Sequence, residues 1–477
     1  EIKLNAMSPS DLPTPDETWP ESALAAHQVM SDHIEQMSKQ LKELTSAVDK
    51  LQRQLKLNSK TSSKPPSSDR ERRASKTRKK SERAKGAQKG HKGSTRVRLE
   101  ADEIISCQPI EPHCDCGGAW VERETFRRLQ VTELPEVKPV VTEHQERCLS
   151  CERCGRETYA GARLPLGESR FGPRLHAVVV SLNLESRLSF RQIRALLKQS
   201  FNLSVSVGAI SGMVKRAAQH TKRSFEELKA WFQADNQPKH VDETSWKIHG
   251  ERAQLIGSLN TSAALYQCSQ HRKAEDVKRL IGVDLSQPII CDRAFVYHPW
   301  KLRQLCWAHT LRDFHCFDTY RKMKPHAKTL IKHVQRLFKL AKAHQSEQIS
   351  TEEYVSEASA LRPQIKAILE GFAEITVAKK PDGTVRNLLE YEDQLWTFLQ
   401  HPTMPIHNNA QESALRSLVI KRKLSFGNDT VQGADRLAQL MSIIETLKRQ
   451  GRDVYAWFIS SFQGETTSLI PSPVSSL

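Results

Sequence analysis

The chain has 477 residues, 38% of them hydrophobic and 27% charged, with ten cysteines and a formal net charge of +17. That length exceeds what one hydrophobic core organises and predicts two to four structural units. The longest apolar run, residues 175–184, is too short for a bilayer span and contains His176 and Asn183, which excludes an integral membrane protein, and no secretory leader is read. The expectation is a cytoplasmic protein whose cysteines are reduced thiols or metal ligands rather than disulfides.

Residues 1–28 are rich in Pro, Ser and Glu and are expected to be disordered. Met30, Ile34, Met37, Leu41, Leu44, Val48, Leu51 and Leu55 then recur at alternating spacings of four and three. This heptad seam predicts a coiled coil over 29–57, and through it a homodimer or higher oligomer; an amphipathic helix packed on its own body is the competing account. Residues 58–100 read as a flexible basic linker. Lys56 to Arg98 holds 16 Lys/Arg against three acids, a density that repels itself, stays open and suits a polyanion such as DNA. Lys76, Arg78, Lys79, Lys80, Lys89, His91 and Lys92 are its candidate DNA contacts, and a solvated linker is the plainer alternative.

Over 101–165 two thiol clusters stand about thirty residues apart: His113-Cys114-Asp-Cys116-Gly-Gly, and Cys148-x-x-Cys151-x-x-Cys154-Gly. Close thiol pairs followed by Gly are the pattern of a zinc ribbon, with Cys114, Cys116, Cys151 and Cys154 as ligands of a structural Zn²⁺ and His113 and Cys148 as alternates. A ribbon that has lost its metal is the other account. Residues 166–225 read as helical. Phe190–Lys198 and Ser206–Gln219, with Ser206 as a cap, form a helix-turn-helix-like candidate for DNA binding.

From residue 226 the pattern turns to short strands. Lys239–His249, Glu251–Leu259 and Ala263–Ser269 read as an antiparallel meander, Lys273–Ile281 as a helix, and Pro288–Asp292 as a buried strand. This order is that of an RNase H-like fold, in which the first and fourth strands are neighbours, so Asp242 and Asp292 would meet. Residues 226–313 and 401–430 form this core, with a helical insertion over 314–400. Pro402 and Pro405 end the insertion, and Glu412 opens a new helix that would complete the cluster. Taken singly, each acid has an ordinary explanation; for Glu412 it is a capping box with Asn409, or an ion pair with Arg416. Three converging carboxylates repel unless cations lie between them, and two Mg²⁺ (or Mn²⁺) ions about 4 Å apart are the usual remedy. His309, Arg312, Arg416, Lys421, Arg422 and Lys423 would face the phosphates of bound DNA. Helices over 431–462 and a disordered tail over 463–477 end the chain.

Several pieces carry a family likeness: Asn-Ser-Lys-Thr-Ser-Ser-Lys-Pro-Pro-Ser-Ser-Asp (58–69), Gln-Lys-Gly-His-Lys-Gly (88–93), Asp242-Glu-Thr, Cys306-Trp-Ala-His309-x-x-Arg-Asp313, Asn408-Asn409-x-x-Glu412-x-x-x-Arg416, and Arg422-Lys423-x-Ser425-Phe426-Gly427. Together they resemble the DDE transposases of the bacterial insertion sequence 66 family, in order, from about residue 30 to 460. The resemblance implies a multidomain α/β protein: a coiled coil, a zinc-ribbon-like domain, a helical segment, and an RNase H-like catalytic core with a helical insertion. It implies the catalytic, Mg²⁺-binding triad Asp242, Asp292 and Glu412. It also implies binding to the element's terminal inverted repeats and to target DNA, cleavage and strand transfer, accessory proteins from the same element, and a nucleoid-associated location. The single residue between Cys114 and Cys116 departs from the usual knuckle. Two other readings remain: an RNase H-like nuclease without strand transfer, and a catalytically idle zinc-containing DNA-binding protein.

Overall fold

The heptad stretch forms one long helix, α1 (Glu21–Lys56), in the computed structural model, which describes residues 13–15, 19–56, 97–107, 114–121, 128–159, 161, 169–375, 377–465 and 468–471. The helix begins earlier than the disordered stretch expected over 1–28 allows. The run Glu-Ser-Ala-Leu-Ala-Ala from Glu21 has high helix propensity, Pro20 is tolerated at a helix start, and Trp19 packs edge-on against His27 with ring centroids 5.7 Å apart. Along the seam Met30, Met37 and Leu44 are 53%, 63% and 66% exposed, so this apolar stripe is open to solvent. Lys76, Arg78, Lys79, Lys80, Lys89, His91, Lys92 and His113 lie outside the described residues.

The chain divides into two units: Glu1–Asp69, Gln145–Arg194 and Ser206–Leu477 form one, Arg70–His144 and Ala195–Val205 the other. Residues 101–144 of the stretch expected as a zinc-ribbon-like domain fall in the second unit and residues 145–165 in the first. In the smaller unit the Gln130 side chain bonds the Leu99 backbone both ways, at 2.7 and 3.2 Å.

In the larger unit β1 (Cys148–Ser150) and β2 (Glu157–Tyr159) form a short antiparallel hairpin around the second cysteine cluster. Helix α2 (Pro173–Leu184) starts with Pro in its first turn, and α3 (Phe190–Phe201) follows. The Ser206 hydroxyl accepts from Ala209 N–H at 3.1 Å and so caps α4 (Val207–His220); α5 (Lys222–Ala234) follows.

A five-stranded sheet comes next. Strands β3 (Lys239–Ile248), β4 (Glu251–Leu259) and β5 (Ala264–Ser269) run antiparallel, and α6 (Ala274–Ile281) leads to β6 (Ile289–Cys291) and β7 (Arg303–Leu305), which run parallel to β3. The strand order is β5-β4-β3-β6-β7, with β3 at the centre. Its end alternates Trp246 and Ile248 inward with Ser245 and Lys247 outward, the period of a half-buried strand; Ile289 to Cys291 are all buried, as a strand covered on both faces requires.

Helix α7 (Trp307–Phe317) leads into α8 (Lys324–Gln345), α9 (Thr351–Ser359), α10 (Leu361–Ala373), α11 (Lys379–Glu390) and α12 (Glu392–Leu395), the helical insertion. Ser350 caps α9 by accepting from Glu353 N–H at 3.2 Å, and Trp396 stacks edge-on against Trp307 at 5.0 Å to tie the insertion to α7. The chain then returns with α13 (Asn409–Ser425), α14 (Val431–Arg449) and α15 (Val454–Phe462).

Edge strand β5 is not left open. The hydroxyls of Ser442 and Thr446 on α14 accept from Tyr266 and Ala264 N–H at 2.8 and 3.0 Å, so side chains satisfy backbone donors that a further strand would otherwise take. The tail expected to be disordered over 463–477 is anchored in part. Leu469 is buried, Gln450 donates to its carbonyl at 2.8 Å, and Arg452 donates to the Ser468 carbonyl at 2.7 Å. Among the described residues no helix is long and apolar enough to cross a membrane.

Candidate active site

The sheet register places two of the three acids. Lys239 pairs with Ile289 and His240 with Ile290 in the parallel ladder of β3 and β6. Two residues beyond the second pair stand Asp242, within β3, and Asp292, the first residue after β6; continuing the register and its alternation puts them at one level and on one side. Asp242 accepts from Glu243 N–H at 2.9 Å, and Asp292 from Ala294 N–H at 2.8 Å. Removal from water holds the Asp242 carboxyl well above the usual carboxylate range, and the charge of Asp292 raises it further, with smaller contributions from Glu243 and Glu412.

The third acid sits in the first turn of α13, which is fastened to the same strand. Asn408, the residue before the helix, is fully buried. Its side-chain N–H donates to the Val241 carbonyl at 2.8 Å, its side-chain oxygen accepts from His240 Nδ1 at 2.9 Å, and its backbone N–H donates to Cys306 Sγ at 3.1 Å. Burial pushes the His240 pKa down to about 4, so its ring is neutral. Gln411 presses α13 onto the sheet at Gly257, the cross-strand partner of Asp242. A Cβ at Gly257 would overlap the Gln411 amide and stand 2.9 Å from the Tyr266 ring, so a larger residue would push these side chains aside. The capping box considered for Asn409 and Glu412 is not formed: Asn408 occupies the cap position, and its side chain is spent on β3.

A family profile described as "Transposase IS66 family" matches residues 168–436, more than half of the chain. The chain belongs to this transposase family. A second profile, "Family of unknown function (DUF6444)", matches residues 13–97. "Uncharacterized protein y4jO" of Sinorhizobium fredii is 34% identical over 70 residues, which is 15% of this chain and 22% of that protein's own length.

In this transposase-family chain Glu412 does not point freely at the two aspartates. Its carboxylate takes two hydrogen bonds from Arg312 Nη2, at 3.0 and 3.2 Å, and lies 3.7 Å from His309 Nε2. Burial and the neighbouring Arg312 charge lower the His309 pKa. His309 and Arg312, read from the sequence as contacts for DNA, are thus engaged with the third acid. Among the described residues no three His, Cys, Asp or Glu side chains are grouped closely enough to hold one metal ion. The donor chemistry nonetheless fits a hard divalent cation: two adjacent carboxylates, one of them driven towards protonation by burial and, after that, by the charge of the other.

Of the other basic candidates, Arg416 is exposed, one turn beyond Glu412. Arg422 Nη1 donates to the hydroxyls of Thr244 and Ser245 at 3.0 and 2.6 Å. Lys421 faces inward instead: its ammonium donates to the Asn183 carbonyl at 2.7 Å, and burial lowers its pKa to about 8. It falls three residues after buried Leu418, on the inner stripe of α13.

Three further side chains stand beside the acids. Glu243 accepts hydrogen bonds from the Tyr297 hydroxyl and from Arg272 Nε, the latter at 2.6 Å. Burial raises the Glu243 pKa while Tyr297 and Arg272 oppose the rise. Glu243 adjoins Asp242 and could have been flagged; Arg272 and Tyr297 carry no local signal.

Each of the two cysteine clusters forms a tight turn. In the first, Gly117 N–H donates to the Cys114 carbonyl at 2.7 Å, and the Gly118 N–H and the Cys114 thiol lower the Cys116 pKa. In the second, Gly155 N–H donates to the Cys151 carbonyl at 2.8 Å, and the N–H groups of Cys154 and Arg153 lower the Cys151 pKa. Both turns favour thiolate, the form that binds zinc.

Two outcomes follow from this geometry. Asn408→Ala strands the His240 N–H and the Val241 carbonyl in the interior; chemical denaturation should show a loss of roughly 2–4 kcal/mol, and a loss under about 0.5 kcal/mol would refute the clamp. Asp242→Asn removes a carboxyl whose pKa is raised in the fold. Such a group favours the fold where it is protonated and loses that contribution as pH rises above its unfolded value, about 4. The variant should therefore melt a few degrees above the metal-free parent at neutral pH, with a smaller gap near pH 4.5. Millimolar Mg²⁺ or Mn²⁺ should raise the melting temperature of the parent and not of the variant. A variant that melts below its parent at pH 7 would contradict the placement of Asp242.

Proposed function

We propose that this chain is a DDE transposase with an RNase H-like core, which binds the ends of its insertion sequence, cleaves DNA there and transfers the freed strand to a target. The observation that carries the reading is the pair of adjacent parallel strands that bear Asp242 and end immediately before Asp292, with Glu412 on a helix clamped to β3 through Asn408. The strand order β5-β4-β3-β6-β7, with three antiparallel strands, a helix and two parallel strands, supports the RNase H-like assignment.

Asp242, Asp292 and Glu412 would hold divalent metal, Mg²⁺ or Mn²⁺, which when bound neutralises phosphate charge and makes a water or a 3′-hydroxyl a better nucleophile. To join the two aspartates, Glu412 exchanges its bonds from Arg312, and the released guanidinium becomes a partner for the DNA backbone. Arg416 is open to take a further phosphate. The first reaction adds water to the phosphorus at the element end and breaks the bond to the 3′ oxygen, leaving a 3′-hydroxyl and a 5′-phosphate. In the second, that 3′-hydroxyl bonds to a target phosphorus and displaces a target 3′ oxygen, which leaves as a hydroxyl. Glu243, fixed by Tyr297 and Arg272, holds the β3 end of the site in position.

The rest of the chain serves this chemistry in the proposal. The exposed seam of α1 pairs with a second copy, the basic tract and the helical segment over 166–225 contact DNA, the thiol clusters take structural zinc, and accessory proteins from the same element assist.

Purified protein, labelled element ends, a target plasmid and Mg²⁺ test the central claim. Wild type should give joined products. Asp292→Asn should lower cleavage and joining by roughly 10²–10³-fold or more while retaining end binding. An Asp292→Asn protein that cuts and joins at the wild-type rate excludes the assignment, cleavage without joining selects a nuclease, and binding alone selects an idle DNA-binding protein. The same preparation should contain about one zinc per four knuckle thiols. Met37→Glu with Leu44→Glu should shift it to a monomer in sedimentation; an unchanged sedimentation profile would remove the α1 interface.

A further inference from the structure

The last turn of α13 exposes an aromatic ring that the fold itself does not use. Phe426 is 79% exposed, and it closes the helix in the left-handed region, with φ 59°. Glycine or asparagine ordinarily takes that position, because a bulky side chain is disfavoured there. The sequence thus places a large apolar residue where the backbone resists it and where burial returns nothing.

The backbone that carries the ring is nonetheless held firmly. Phe426 N–H donates to the Arg422 carbonyl at 2.7 Å. The next residue, Gly427, lies directly on β3: a Cβ there would come 2.3 Å from the Lys247 carbonyl oxygen. Asn428 N–H donates to that carbonyl at 3.0 Å, His249 N–H donates to the Asn428 carbonyl at 2.8 Å, and the Trp246 indole donates to the Asn428 side chain at 3.0 Å. The backbone on both sides of the ring is therefore bonded to rigid elements, and the ring projects from a fixed base.

Its surroundings are basic. Lys247 and Arg252 are exposed cross-strand partners at the end of the β3–β4 hairpin. Like charges directly opposite one another weaken an antiparallel pair. Neither side chain makes a hydrogen bond or an ion pair among the described residues, while Glu251 and Asp429 are the acids at the same turn. Arg422 stands one turn before the ring. The exposed Lys247 and Arg252, with the half-buried Arg422, around an aromatic side chain on a fixed backbone select a polyanion that also offers a flat apolar surface to enter, which is the character of stacked bases.

We propose that Phe426 is a DNA wedge, a ring that enters between base pairs of duplex DNA lying along α13 and β3 while Lys247, Arg252 and Arg422 hold its phosphates. The proposal rests on the DNA-transposase reading above and adds a contact and its position. Glu412 and Phe426 lie at opposite ends of α13, about 20 Å apart at 1.5 Å per residue. At 3.4 Å per base pair, the wedge enters about six base pairs from the phosphate at the carboxylates.

The test uses the full-length protein and short duplexes carrying 2-aminopurine at successive positions from one end. With wild type, fluorescence should rise most about six base pairs from the end, where a base is unstacked. Phe426→Ala should abolish the rise and weaken duplex binding roughly 5- to 150-fold. Phe426→Trp should restore both. Phe426→Gly should melt no lower than wild type, which shows that the ring is absent from the stability of the fold. Equal binding and an equal fluorescence profile for Phe426→Ala overturn the wedge while the transposase reading stands. A loss of self-association in Phe426→Ala with DNA binding unchanged assigns the ring to a second copy instead. A wild-type protein that binds no duplex at low salt overturns the DNA reading and the wedge with it.

Discussion

The geometry of the candidate site depends on the buried carboxamide of Asn408. The carboxamide ties α13, the helix that follows it, to β3 through His240 and Val241, while the Asn408 backbone N–H reaches Cys306 at the start of α7. A carboxamide suits this place because it is both donor and acceptor, and each partner needs the opposite. With the His240 pKa near 4 its ring is neutral, and Nδ1–H can donate to the Asn408 oxygen while the amide donates to Val241. In a water-free interior each of these groups would be costly to leave unpaired. The helix is thus positioned by polar satisfaction at its first residue, and Gly257 then lets Gln411 settle against the sheet beside Asp242. Glu412 is the next residue along.

That placement conflicts with simple electrostatics. Glu243 and Glu412 each have a cation, Arg272 and Arg312 respectively, whereas Asp242 and Asp292 have each other. A pair of carboxylates driven together by strand register is unfavourable unless one is protonated or a cation intervenes. The contacts of Glu412 make sense in the same terms. Away from the aspartates it adds less repulsion, and Arg312 balances its charge. In the proposed reaction the arginine and the glutamate separate only when each gains a better partner, metal for one and phosphate for the other, so assembly of the site is coupled to arrival of substrate.

Much of the sheet was legible in the sequence because alternation and turn residues are local signals. The meander of β3, β4 and β5 and the helix before β6 lie within a residue or two of the predicted spans, and the adjacency of β3 and β6 follows from the expected topology. What depends on distant partners was not legible. Arg312 and Glu412 are 100 residues apart, and a basic residue near a carboxylate motif reads as a DNA contact until the fold shows it paired. Asn409 and Glu412 imitate a capping box because the spacing is right; the cap position belongs to Asn408, whose side chain is already committed to β3. Lys421 looked solvent-facing by its charge, yet its offset from Leu418 places it inward, where it reaches the Asn183 carbonyl. The Pro-rich residues before α1 read as disorder, while the alanines of its first turns carry the helix propensity that starts it at Glu21.

Helix α13 connects these features into one device. Its first turn is set by Asn408 and Gln411 against β3 and β4, and its last by Gly427 and Asn428 against the far end of the β3–β4 hairpin. A helix tied to the same pair of strands at both ends cannot slide or tilt without breaking polar contacts at each. Its length is then a fixed distance between Glu412 and Phe426. A glycine would have ended the helix with less strain but would have offered nothing to solvent. The helix keeps its strained aromatic end at the same molecular face that gathers Lys247, Arg252 and Arg422, and this is why the left-handed Phe426 is better understood as part of how DNA is held than as an imperfect stop to a helix.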